Sequence, residues 1–159
     1  MCAASTVLLF AFAIGVIAGL RSLTAPADTA WAAYLGWLHV VGTPFKFMSS
    51  VIAVAVFTVL AIVELVTDKL PTTPSRLAPP GLVARFVMGG LSGATVAAAG
   101  GQVWIVGAIL GVLGGVVGAW SGYQVRSRLV RALKCPDFVI AVAEDLVAIC
   151  GGLFLLSRF

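Results

Sequence analysis

The sequence predicts an all-α integral membrane protein, a compact bundle of six helices of which five or six span, forming one membrane domain over residues 1–159. Three observations carry this. The chain is 61% hydrophobic and 10% charged, with mean hydropathy +1.13, where a soluble domain carries about 25% charged residues. One core in a chain this short cannot hide so much apolar surface, so much of it faces lipid. Proline and glycine breaks then divide the sequence into apolar runs of membrane-spanning size. Finally, Arg21, Glu64, Asp68, Arg85, Glu144 and Asp145 lie inside those runs or within a turn of them.

Helix one covers Ala4 to Arg21 and carries Gly15-x-x-x-Gly19. Residues 2–20 lack the basic leader of a signal peptide, and the run exceeds the usual apolar region of about 7–15 residues, so a retained first span is expected. Pro26 disfavours helix at Ala25, and Asp28 can cap a new start. The next helix, Thr29 to Val41, is about 20 Å long against a hydrocarbon core of roughly 30 Å. It reads as a thin span, a half-helix or a surface helix, rich in interface-loving Trp31, Tyr34, Trp37 and His39.

Helix three runs from Phe47 to Val66 and leads into Asp68, Lys69 and Pro71. The loop 71–81 holds four prolines and reads as a rigid connector. Helix four covers Leu82 to Ala99, with Arg85 in its first turn and Gly89-x-x-x-Gly93. Helix five covers Gln102 to Tyr123 and continues as a basic amphipathic extension to Lys134. The last helix starts at Pro136 and reaches Ser157, with Glu144 and Asp145 two turns in.

Gly107, Gly111 and Gly115 recur every four residues, as do Gly114, Gly118 and Gly122, giving helix five two small-residue faces. Such stripes let backbones approach in lipid, so helix five is expected to be central and clasped on two sides. A homo-oligomer seam is the alternative use of the same stripe. Placing Arg126, Arg128, Arg131 and Lys134 in the cytoplasm puts Lys69, Arg76 and Arg85 inside as well, and leaves Lys46 and Arg158 outside. Six spans then divide into three plus three around the proline loop, the layout of an inverted repeat.

The net charge of +4 follows from that loop bias; its basic residues are too scattered for a nucleic-acid footprint, and no nucleic-acid partner is expected. Cys2, Cys135 and Cys150 contain no C-x-x-C and read as small apolar residues. His39 is the sole histidine, so no metal site and no cofactor are expected. The partners expected are the lipid bilayer and, through a glycine stripe, a second copy.

Intramembrane charges cost roughly 2.5–3.5 kcal/mol each on insertion scales and usually face a bundle interior or a wet cavity. Glu64 and Asp68 are spaced i, i+4 and share a helix face. Arg21, Glu64, Asp68, Lys69 and Arg85 gather toward the cytoplasmic end, with Glu144 and Asp145 slightly deeper; together they make the candidate ion or solute site. At a helix end Glu64, Asp68 and Arg85 also read as headgroup anchors. The central pair Glu144-Asp145 reads alternatively as a structural ion-pair partner of Arg21 or Arg85.

Gly19-Leu20-Arg21-Ser22-Leu23-Thr24-Ala25-Pro26, Glu64-Leu65-Val66-Thr67-Asp68-Lys69-Leu70-Pro71, Thr73-Pro74-Ser75-Arg76, Ala78-Pro79-Pro80-Gly81-Leu82-Val83-Ala84-Arg85 and Glu144-Asp145 together resemble the domain of unknown function 4126 family of small bacterial multi-pass membrane proteins. The resemblance covers nearly the whole chain. It implies a bacterial plasma-membrane location and implies no activity.

The leading functional expectation is a small transporter or channel-like protein handling an ion, proton or small charged solute at the charged cluster. A structural or accessory subunit packing through glycine faces is the alternative. A membrane enzyme acting on lipid ranks lower, because G-x-S-x-G, H-E-x-x-H and the P-loop are absent and Ser22, Ser75 or Ser92 with His39 makes no recognisable triad.

Overall fold

Uninterrupted runs of alanine, leucine, isoleucine and valine become helices, and the glycine, proline and charged interruptions become their ends. A computed structural model describes residues 4–68, 79–133 and 137–159. Its helices are α1 (Ala4–Leu20), α2 (Thr24–Tyr34), α3 (Val51–Thr67), α4 (Pro79–Ala99), α5 (Trp104–Leu133) and α6 (Asp137–Leu156), with a 3₁₀ turn at Lys46–Ser49. Among the described residues three helices, α4, α5 and α6, are long and apolar enough to cross a membrane, while α1 and α3 are shorter apolar helices of 17 residues each. Lys69, Arg76, Lys134, Cys135, Cys2 and most of the 71–81 loop lie outside the described residues.

The second helix departs most from expectation. It starts at Thr24, not Thr29, and Asp28 sits inside it instead of capping it. Pro26 is its third residue, where no backbone N–H is required, so proline joins the first turn without loss. With nine of its 11 residues buried, α2 is neither a surface helix nor a full span: it is a half-helix about 16 Å long inside the bundle. The chain then turns through Gly36 and Gly42, both at positive φ (81° and 82°), and tucks Leu38, Val40 and Met48 into the core.

The third helix begins later than Phe47. A 3₁₀ turn intervenes, and the Ser50 hydroxyl accepts the Ala53 N–H at 3.1 Å to cap α3. Helix α4 starts earlier, at Pro79, because Pro79 and Pro80 fit a first turn. The expected fifth span and its basic extension form one continuous helix of 30 residues.

Contacts along the helices fix their directions. Gly19 meets Gly115 and Gly118 of α5, while Gly15 meets Gly111, so α1 and α5 run parallel. Arg85 of α4 bonds Gly19, whereas Gly100 just past its end meets Val7, so α4 runs antiparallel to α1. Helix α6 also opposes α1, with Asp145 near Arg21 and Phe159, three residues past its end, stacked near Phe10 at 5.9 Å. Trp31 Nε1 donates to Thr58 Oγ1 at 3.0 Å, tying α2 to the middle of α3.

Helix α5 is held between α1 and α4 by its glycines. A methyl at Gly111 would strike the Gly89 carbonyl, and one at Gly107 the Gly93 carbonyl and Ala97. On the other face, methyls at Gly114 and Gly118 would strike the carbonyls of Phe12 and Val16. Gly115 has more slack, with the Arg85 carbonyl 3.3 Å from where its Cβ would be. Outward faces stay apolar: Ile52, Val59 and Val66 of α3 and Ile109 and Val116 of α5 are all exposed.

Candidate functional site: an ionic clasp at a helix break

Between α1 and α2 the residues Arg21, Ser22 and Leu23 break the helix, and two charged groups from other helices satisfy the ends this creates. Glu64 of α3 accepts the Ser22 N–H at 2.8 Å and the Ser22 hydroxyl at 2.5 Å on one oxygen, and the Leu23 N–H at 2.8 Å on the other. A carboxylate at a helix start meets both free N–H donors and the positive end of the helix dipole. Arg85 does the converse for α1: its Nε donates to the Gly19 carbonyl at 3.0 Å, and its Nη1 to the Gly81 carbonyl at 3.1 Å. A guanidinium there satisfies a carbonyl at a helix C-terminus.

Arg21 lies at the centre and is fully buried. Its Nη1 donates to Asp68 Oδ2, at the C-terminal end of α3. Its Nη2 lies 2.5 Å from Asp145 Oδ1 of α6, a charge–charge approach without hydrogen-bond alignment. The Asp68 side chain keeps 18% exposure and Asp145 8%, so Asp68 is the more open of the two carboxylates. Among the described residues, two arginines, Arg21 and Arg85, and three carboxylates, Glu64, Asp68 and Asp145, meet at the break.

The adjacent acidic pair is split between two partners, as neighbouring positions on a helix dictate. Glu144 turns from the clasp toward Arg126 of α5, with Oε2 3.8 Å from Nη1. Both line a groove of about 290 Å³ between α5 and α6. Of the charged residues singled out in the sequence, Arg21, Glu64, Asp68, Arg85 and Asp145 therefore meet at one break, Glu144 lies beside it, and Lys69 is outside the described residues.

Asp28, expected from the sequence to cap a helix, was not among the expected site residues. It is 4% exposed, its Oδ2 has no hydrogen-bond partner among the described residues, and it presses on Gly152 of α6. One turn earlier, the buried Thr24 hydroxyl is likewise without a partner. The available signal was the setting of Asp28 among Ala25, Ala27, Thr29 and Ala30, small residues that allow close packing all round. Among the described residues there is no group of three or more metal-binding side chains.

These features define a membrane-type helical bundle whose ionic groups converge on a discontinuous helix. The chain belongs to the family described as domain of unknown function (DUF4126), whose family model matches residues 8–157. No curated protein and no solved structure matches it.

Proposed function

We propose that this protein is a small multi-pass transporter or channel-like protein of the bacterial cell membrane, with the clasp at the α1–α2 break as its site for a proton or cation. The observation that carries the reading is the buried Arg21 held by Asp68 and Asp145 from two different helices, at a break in a helix. Broken helices whose ends face an ion are a recurring device for binding near the membrane midplane. A proton or cation reaching Asp68 through its exposed edge competes with Arg21 for the carboxylate. Loosening that contact frees α3 from the α1–α2 elbow, which couples ion binding to helix movement.

In this reading the arginine-rich end, with Arg126, Arg128 and Arg131, is cytoplasmic. The alternating helix directions are compatible with a three-plus-three inverted layout, although α2 has 11 residues against 30 in α5. A second reading, a structural or accessory subunit, is favoured by one specific observation: Glu64 and Arg85 spend their hydrogen bonds on backbone groups, as purely structural caps would.

Proteoliposomes holding a trapped pH-sensitive dye, under an imposed proton gradient and potassium diffusion potential, test the proposal, with sodium added on either side as the cation probe. The wild type is expected to carry a proton or sodium-dependent flux that Asp68→Asn and Asp145→Asn abolish while the helical circular dichroism is retained. Wild-type vesicles as tight as empty ones, to both protons and sodium, would favour the accessory reading.

A further inference from the structure

We propose that Asp28, together with the Thr24 hydroxyl, is a proton-binding site inside the bundle, served from the α1–α2 break. The proposal rests on the reading of that break as an ion entry and names the ion as a proton. Asp28 lies four residues past Thr24, so the two side chains share one face of α2. Both residues are buried, at 4% and 2% exposure, and neither Asp28 Oδ2 nor Thr24 Oγ1 has a hydrogen-bond partner among the described residues. Asp28 rests on Gly152 of α6, seven residues and about 10 Å beyond Asp145. Thr24, the first residue of α2, thus stands between the clasp and a carboxyl set deeper in the bundle.

Among the described residues no cation is placed to balance this carboxyl. Asp28 is the only charged residue of α2, and α1 has none. On the other elements packed against α2, Glu64 and Asp68 of α3, Arg85 of α4 and Asp145 of α6 are engaged at the clasp, and Glu144 faces Arg126. Lys46 of the 3₁₀ turn and Arg158 beyond α6 are exposed, Arg158 over the Phe154 ring. A carboxylate isolated in an apolar interior takes up a proton, because the neutral acid avoids most of the desolvation cost. A metal cation suits the place less: it gathers several oxygen ligands around a cavity, whereas Gly152 backs directly onto Oδ2. A proton adds no volume. The Thr24 hydroxyl both donates and accepts. It passes its own proton to Asp28 Oδ2 while accepting another on the side of the break, and the reverse step discharges the acid.

Solid-state NMR of the wild type in lipid, labelled with carbon-13 aspartate and glycine, identifies the Asp28 carboxyl by its proximity to Gly152 and needs no variant. The carboxyl is expected to be a neutral acid at neutral pH and to become a carboxylate in alkaline medium. Infrared spectra follow the exchange: on transfer to deuterium oxide the C=O band of that acid should shift, and Asp28→Asn should lack the band. Thr24→Val should slow the shift on the order of tenfold, the equivalent of one lost hydrogen bond. Thr24→Ser, which keeps the hydroxyl, should exchange like the wild type. A carboxylate at neutral pH, an acid band that never exchanges, or undiminished exchange in folded Thr24→Val would overturn the proposal. These spectra require no flux: tight vesicles would end the transport reading alone, and a carboxylate at Asp28 would end this one alone.

Discussion

Arg21, the residue that interrupts the first hydrophobic run, places Nη2 2.5 Å from Oδ1 of Asp145, two turns into the last helix. With Asp68 on its other nitrogen, it joins the first, third and sixth helices at one depth. Removing one partner of a buried ion pair is far more damaging than never having had it, because the remaining charge stays desolvated. Arg21→Met is therefore expected to lose about 3–5 kcal/mol, since it leaves the buried Asp145 carboxylate and the half-buried Asp68 carboxylate facing each other. Thermal unfolding in detergent measures this. The triple variant that adds Asp68→Asn and Asp145→Asn should recover much of the loss, and a single variant as stable as wild type would mean the clasp does not hold the bundle.

Glu64 stabilises in a different currency, as an acceptor for donors that nothing else satisfies. Its two oxygens take three hydrogen bonds from Ser22 and Leu23. Glu64→Gln turns one of those oxygens into an amide that points donors at a donor. The expected loss is about 1–3 kcal/mol, the penalty for leaving a buried polar group unmet. Hydrogen exchange gives the decisive readout: the amides of Ser22 and Leu23 should lose protection before those of α5.

The glycines of α5 predict a graded series. Gly111→Ala and Gly107→Ala drive a methyl into backbone across the α4 interface and should sharply lower yield and melting temperature. Gly115→Ala should be milder, since the Arg85 carbonyl is 3.3 Å from the new methyl and a small shift accommodates it. Gly151→Ala meets only Ile17 Cδ1 at 3.8 Å and should be neutral or slightly stabilising, as alanine favours helix. Melting temperatures that do not follow this order would show that packing at these glycines is not what positions α5.

The helical class and the positions of the apolar segments were legible because burial in lipid and span length are written directly into composition and run length. The convergence on Arg21 was legible as a list of expensive charges, but the pairing was not. Glu64 and Asp68 share a face, yet one turns to backbone and the other to Arg21, and only the position of the helix break decides which. The start of α2 misled for a related reason. A proline and a capping-type aspartate resemble a helix boundary locally, whereas the true cap is Glu64, 42 residues from Ser22 in sequence. Tertiary capping leaves no local pattern.

Asp28 gives the last prediction, and the least intuitive one. Its carboxyl is buried against Gly152, with Oδ2 unpartnered among the described residues, in a helix that carries no basic residue. A side chain kept for structural reasons should be making hydrogen bonds, and its removal should hurt. Here the geometry argues the reverse: Asp28→Asn preserves shape and removes an uncompensated acidic group, so the melting temperature should hold or rise. Gly152→Ala, by contrast, pushes a methyl into that same carboxyl and should destabilise, and Asp28→Ala combined with Gly152→Ala should restore part of the loss by making room. A clear drop in melting temperature for Asp28→Asn alone would establish that the carboxyl has a structural partner. Unchanged stability together with altered proton or sodium flux would place Asp28 on the ion path instead of in the scaffold.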